Sequence, residues 1–394
     1  MIDLIRRKAE QYFPEVQAIR HHIHTYPELS FEETNTAAFI AGRLTEWDIE
    51  HQTGVAGTGV VALIKGKNPT KKCIALRADM DALPIQELND TGYRSQNDGV
   101  MHACGHDVHS SCLLGVARIL NDMKDDFEGT VKLIFQPGEE KHPGGASLMI
   151  KDGVLEDPKP EAIYALHVYP HLPSGTVGFR SGQYMASADE VYITIEGKGG
   201  HAALPHQTID PIAISAHVIV SLQQVVARKS NPLIPSVLTF GKIAGGFATN
   251  VIPDKVEILG TLRTMDETWR SEAHQWIKQI TEQTCAAYGA TAVVDIPVGY
   301  PSLFNDPATT DMAEGWAKEY LGSDNVKTLD RRMAGEDFSF YTHHMPGCFF
   351  RIGTNRKNEE FTAPVHNARF DIHEDAMKTG VGVFTYIALS ALQH

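Results

Sequence analysis

Three short apolar runs, at residues 73–76, 131–135 and 162–166, lead directly into side chains that bind metals. The first leads to Asp79 and Asp81. The second breaks at Gln136-Pro137-Gly138 and delivers Glu139 and Glu140, and the third ends on His167. A fourth run, 348–352, enters a loop that reaches His366. These runs have the length and β-branched content of strands, and helix-like stretches such as 110–120 separate them. That alternation predicts an α/β domain with a mixed, largely parallel sheet flanked by helices. Open parallel sheets bind ligands outside the carboxyl ends of their strands. Acids and histidines collected at strand ends therefore constrain both the fold and what it can hold.

The pattern changes after about residue 186. Residues 190–196 alternate apolar and polar like a half-exposed strand, followed by a glycine-rich turn at 197–200. A helix-like stretch over 210–228, strands at 237–242 and 256–264, a helix over 267–288 and a strand at 292–296 come next. Strand-helix-strand-strand-helix-strand predicts a small α+β, ferredoxin-like domain. After Pro301 the first pattern returns, with a helix over 308–320 and a closing amphipathic helix over about 374–392. The expected organisation is a discontinuous catalytic domain, 1–186 and 298–394, interrupted by an inserted domain at 187–297. No repeat or low-complexity segment is visible.

Thirty-five Lys and Arg stand against 49 Asp and Glu, a formal charge of −14, which argues against nucleic acid or an anionic membrane as partner. No apolar segment approaches the ~20 residues needed to span a bilayer, and the N-terminal stretch 2–13 is polar and helix-like without a signal-peptide run. Five cysteines (Cys73, Cys104, Cys112, Cys285, Cys348) show no disulfide-framework spacing. The expectation is a reduced, cytoplasmic protein.

Between the first two strands lies His102-Ala103-Cys104-Gly105-His106-Asp107, just ahead of a helix, a position that favours a thiolate ligand at Cys104. Cys104, His106, Glu140, His167 and His366 supply five N, O and S donors, too many for one open tetrahedral zinc. Shared between two divalent ions, they leave room for a water and a substrate oxygen, the arrangement that activates water and polarises a carbonyl. Glu139 is then the carboxylate that shuttles the proton, and Asp81 a partner that orients a ligand. Each piece alone has a plainer reading: adjacent acids are commonly a solvated pair, and an isolated histidine commonly a hydrogen-bonded structural residue. His21, His22 and His24 lie on the first helix, away from every strand end, and read as structural. His109 lies one turn into its helix and reads as packing or cleft lining. Cys112 and Cys348 read as core thiols.

Ten stretches in order resemble the metallo-aminoacylase family of bimetal amidohydrolases, in particular its hippurate hydrolase and indole-acetyl-amino-acid hydrolase branch. They are HTYPELSFEE (24–33), LRADMDALPIQE (76–87), MHACGHDVHS (101–110), FQPGEE (135–140), ALHV (165–168), GKGGHAALPH (197–206), TNVIP (249–253), LRT (262–264), GEDFS (335–339) and PVHN (364–367). The resemblance implies hydrolysis of the amide bond of a small N-acyl amino acid by two ions bridged by Cys104. His106, His167, Glu140 and His366 complete the ligands, and Glu139 is the catalytic carboxylate. It implies that the inserted domain is a lid that in some relatives pairs two subunits, making a homodimer an expectation. In that lid His201 would stabilise the oxyanion, while Asn250 and Arg263 would bind the substrate carboxylate. Gly335-Glu336-Asp337 resembles a pocket-closing loop.

Many relatives carry His-x-Asp where this chain has Asp79-Met80-Asp81, and a bridging Asp where it has Cys104. The cysteine-containing branch leaves Zn²⁺, Mn²⁺, Co²⁺ and Ni²⁺ all open. The rival readings are a dipeptidase- or carboxypeptidase-like metallopeptidase, a non-catalytic metal-binding homologue, and a cysteine hydrolase using Cys104 as nucleophile.

Overall fold

A computed structural model describes residues 1–356 and 363–394. They form two compact units. The first comprises Met1–Gly182, Phe304–Asp330 and Phe340–His394; the second comprises Gln183–Leu303 with Arg331–Ser339.

The first unit is built on an eight-stranded sheet. Its strands lie in the order Glu50–Val55, Gly59–Lys65, Thr130–Gln136, Cys73–Asp79, Ile163–Pro173, Gly347–Asn355, Val177–Phe179 and Val326–Thr328. The four in the middle, from Thr130–Gln136 to Gly347–Asn355, are mutually parallel, and antiparallel pairs appear toward the edges. Cys73–Asp79 and Thr130–Gln136 are buried at every position, which is why they read as largely apolar runs, and the charged residues inside them are hydrogen-bonded, Arg77 to Gln136 and Lys132 to the Val154 carbonyl. Helices Ile2–Thr25, His106–Asp122 and Asp375–Gln393 pack on one another and cover the sheet. Residues 106–117 are all buried, so the first turn of that helix, directly after Cys104, is held as core.

Two strands run farther than their apolar runs predict. Ile163–Pro173 passes through His167, and Gly347–Asn355 passes beyond Ile352, because the two stay paired with Arg351 opposite His167 and Gly353 opposite Tyr169. His167 is therefore a mid-strand residue. Strand pairing overrides the polarity change that suggested an end.

The second unit has a four-stranded antiparallel sheet in the order Ser236–Ala244, Lys255–Thr264, Asp189–Glu196 and Thr291–Asp295, with helices Pro211–Gln224 and Glu267–Ala287. In Asp189–Glu196 the predicted alternation is realised: Val191, Ile193 and Ile195 are buried with Ile214, Val218, Leu222, Trp269 and Ile277. Both helices start on an aspartate whose carboxylate caps free N–H groups, Asp210 to Ile212 and Ala213, and Asp266 to Trp269. This unit extends past the span 187–297 on both sides and takes in residues 331–339.

One expectation needs correction. Pro211–Lys229, 19 residues with hydropathy 1.2, is long and apolar enough by length and composition to cross a membrane. Interspersed Ser, His and Gln hid it from a search for uninterrupted runs. In the structure one face, including Ile214, Val218 and Leu222, packs in the core of the second unit.

Candidate metal centre

All five donors named from the sequence, Cys104, His106, Glu140, His167 and His366, belong to the first unit. Cys104, His106 and His167 bring ligand atoms within 4.8 Å of one another, as do Cys104, Glu140 and His366. Cys104 belongs to both groups. Glu139 joins a third group with His106 and Glu140.

The imidazoles are oriented by their partners. His106 Nδ1 lies 3.1 Å from Asp81 Oδ1, while its buried Nε2 has no hydrogen-bond partner among the described residues. His167 Nδ1 lies 2.8 Å from the Val168 carbonyl and so donates to it, which leaves the Nε2 lone pair facing Cys104 Sγ at 3.5 Å. His366 Nε2 approaches Glu140 Oε1 at 3.1 Å without hydrogen-bond alignment. Donors each ~2.0–2.3 Å from one tetrahedral ion stand roughly 3.3–3.6 Å apart. The Cys104–His167 separation of 3.5 Å and the Glu140–His366 separation of 3.1 Å lie at or near that spacing, and the buried Nε2 of His106 has no hydrogen-bond partner among the described residues. The donor set fits a pair of borderline-soft divalent ions.

Electrostatics agree. Burial opposes protonation of His106, but Asp79, Cys104 and Asp81 outweigh it and lift the imidazole well above its usual value. Contact with Cys104 and Glu140 pushes His366 up to about 10. Burial and Glu140 push the Cys104 thiol up. The site gathers more negative donors than its neighbours neutralise, and a dication would displace these protons. His167 is different: burial, reinforced by Arg351, holds it neutral, the form that ligates metal.

His109 is excluded as a ligand by its bonds. Its Nδ1 is 2.5 Å from Asp79 Oδ1, and its Nε2 accepts the Val168 N–H at 2.9 Å, so neither nitrogen is available. Asp79 is also held by Arg77. His22 stacks on Phe39, while His21 and His24 bind carboxylates. Cys112 and Cys348 are fully buried.

Asp81 contacts two of the candidate ligands. Besides His106 it accepts the Glu140 N–H at 3.0 Å and the Ser30 hydroxyl at 2.6 Å. Outer partners of this kind are typically worth ~10–100-fold in metal affinity. The Glu139 turn has its own support, which the sequence reading missed. Gly138 takes φ +59, and a Cβ there would fall 2.3 Å from the Phe31 ring. Its N–H donates to buried Glu33 at 2.8 Å, and Thr58 donates to the other oxygen of that carboxylate. The stretch HTYPELSFEE contains Ser30, Phe31 and Glu33, so the signal was present without a role attached to it. His366 has a left-handed φ of 65, held by its N–H bond to the Ala103 carbonyl at 2.7 Å. For a non-glycine residue such strain clusters at functional sites.

In the second unit, His201 and Val251 pair across a short two-stranded ladder, and the adjacent Asn250 carbonyl accepts the Ala202 N–H. Ala203 N–H donates to His201 Nδ1, so the proton of the neutral ring sits on Nε2. Arg263 lies in strand Lys255–Thr264; its half-buried guanidinium makes no hydrogen bond or ion pair among the described residues, and burial pushes its pKa down.

Residues 75–390 match the family model for peptidase family M20/M25/M40. The chain is 43% identical over 361 residues to an N-acetyl-L-cysteine deacetylase of Bacillus subtilis, covering 91% of this chain and 84% of that one. It is 38% identical to thermostable carboxypeptidase 1 of Saccharolobus solfataricus, covering 94% of each. Among solved structures, a dinuclear metal-binding M20 peptidase of Bacillus subtilis superposes with a TM-score of 0.81 at 35% identity, covering 98% of this chain and 99% of that one.

Proposed function

The chain belongs to peptidase family M20/M25/M40, and on that premise we propose that this amide-bond hydrolase removes the acyl group from small N-acyl amino acids. The observation that carries the proposal is the pair of donor triads sharing Cys104, with the Glu139 carboxylate beside them.

Cys104 with His106 and His167 would hold one divalent ion, and Cys104 with Glu140 and His366 the other. Bound there, the pair supplies Lewis acidity that polarises the scissile carbonyl and acidifies a water. Glu139 accepts the proton from that water and returns it to the leaving nitrogen, so one residue serves as base and then acid. His201 donates its Nε2–H to the oxyanion of the tetrahedral intermediate; the bond at Nδ1 supports that tautomer. Asn250 and Arg263 bind the free carboxylate of the amino-acid half. An unpartnered, half-buried guanidinium supports this, since a bidentate carboxylate satisfies it. Five buried cysteines, none in a disulfide, support a cytoplasmic setting.

The test is one assay series. N-acyl amino acids with a free carboxylate are expected to show kcat/KM at least about 10-fold above their C-terminal amides, as a lost charge-assisted bond requires. His201→Ala should lower kcat by about 10²–10³ with little change in KM. Equal rates on acids and amides, or an unaffected variant, would remove these roles. A carboxypeptidase-like reading follows from the Saccharolobus relative, and dipeptides hydrolysed faster than every N-acyl amino acid in the same series would favour it.

The second unit is also proposed to pair two copies. Strand Ser236–Ala244 lies at a sheet edge, with Ile243 54% exposed, and Val220 on the neighbouring helix is 68% exposed. An open strand edge beside exposed apolar side chains suits two-fold pairing with a second copy. Sedimentation equilibrium at micromolar concentration should give twice 43.4 kDa, and a monomer mass would refute the pairing.

A further inference from the structure

Behind the metal centre lies a buried charge network that the proposed chemistry does not use. Arg20, on the first helix, is fully buried. Its guanidinium reaches in three directions: Nε donates to Asp107 Oδ2 at 2.9 Å, Nη2 to Asp371 Oδ1 at 2.6 Å, and Nη1 to Glu374 Oε1 at 3.3 Å. The Tyr93 ring lies 4.9 Å from the guanidinium carbon, and its hydroxyl donates to Asp371 Oδ2 at 2.8 Å. His24 extends the network, facing Asp107 at 2.8 Å and Glu87 at 3.2 Å.

The ends of these bonds give the network its meaning. Asp107 directly follows His106, and the Cys104–His106 loop carries ligands of the first triad. Asp371 and Glu374 close the segment that carries His366, which is in the second triad. The two segments are more than 250 residues apart in the chain, yet one side chain bonds to both. The Cys104–His106 end has further anchors: His106 on Asp81, Asp107 on His24, and a buried helix start. The His366 end is tied to the same loop by its N–H bond to the Ala103 carbonyl at 2.7 Å, while its side chain is 52% exposed, so the placing of that side chain depends on how the rest of its segment is anchored.

We propose that Arg20 is a positioning residue that fixes the spacing between the Cys104–His106 loop and the His366 segment, and thereby sets the affinity of the ion shared by Cys104, Glu140 and His366. This rests on the two-ion reading given above. A planar fork is needed to bridge three acceptors at once; a lysine ammonium on a flexible stem cannot span them. The network predicts a selective effect, in which one ion loosens while the other stays.

Arg20→Lys keeps the charge and loses the fork. Asp371→Asn removes the negative charge and one of the two oxygens that Arg20 and Tyr93 share on the His366 side, and leaves Arg20 paired with Asp107 and Glu374. Both variants and the wild-type chain would be loaded with Zn²⁺, and a chromogenic chelator would be titrated in at fixed pH to read the two dissociation constants. Thermal midpoints of the metal-free proteins would be recorded alongside. Both variants should retain one ion at wild-type affinity and bind the other about 10–100-fold more weakly, the usual effect of losing an outer partner. Two unchanged constants, or equal weakening of both ions, would overturn the positioning role while leaving the two-ion reading intact. A wild-type protein that binds fewer than two ions would instead remove the underlying reading. If Arg20→Lys does not fold, Asp371→Asn alone decides the matter.

Discussion

Glu139→Gln is expected to keep two ions per chain and to lower kcat by about 10²–10⁴, the range that general acid–base catalysis contributes. The amide is nearly isosteric with the carboxylate. It preserves the turn built on Gly138, Phe31 and Glu33, and leaves Glu140 bonded through its N–H to Asp81. What it removes is the acceptor for the proton of the attacking water and the donor to the leaving nitrogen. The effect should therefore fall on kcat, with KM little changed, because substrate binding is assigned to other residues. Amine release under saturating substrate, paired with elemental analysis of the same preparation, measures both quantities. Near-normal turnover would show that Glu139 is not the proton shuttle. Loss of metal would show that it serves as a ligand.

The second large effect concerns the ions themselves. Dialysis against a strong chelator should reduce hydrolysis to about 1% or less. Add-back of Zn²⁺, Mn²⁺, Co²⁺ or Ni²⁺ should restore it, with the ranking identifying the preferred metal. The residues on either side of the scissile bond otherwise provide a base and hydrogen-bond donors but nothing to acidify the water. Stability should move with activity. An ion that binds the folded chain alone adds about 2.7 kcal/mol at a free concentration 100 times its Kd, so the thermal midpoint should rise on add-back. A thiol nucleophile at Cys104 would instead survive chelation. Burial and Glu140 push that thiol up rather than down, the reverse of what an activated nucleophile needs. Full activity in the metal-free protein would refute the two-ion account.

Much of the site was legible because the strands that carry it are buried on both faces. Cys73–Asp79 and Thr130–Gln136 are mostly apolar, their buried Arg77 and Lys132 each satisfied by hydrogen bonds, so Asp81, Glu139 and Glu140 stood out just beyond them. His167 was found for a partly mistaken reason, since it lies within a strand that its pairing with Gly347–Asn355 prolongs. The short strands Val177–Phe179 and Val326–Thr328, the second at the sheet edge, carried too little pattern to be read, being three residues each.

The sequence by itself determined which donors are available and that the Glu139–Glu140 pair follows directly on a strand of a largely parallel sheet. Only the tertiary structure decided which histidines can use them. His106 and His109 stand three positions apart in one buried helix and look alike in a sequence. They differ because His106 Nε2 has no hydrogen-bond partner among the described residues, whereas His109 is held at both nitrogens by Asp79 and the Val168 N–H, 30 and 59 residues away. Arg20 lies equally far from the residues it joins. Local sequence states what a side chain can offer, but the hydrogen bonds that engage or release it come from distant segments and exist only once the chain has folded.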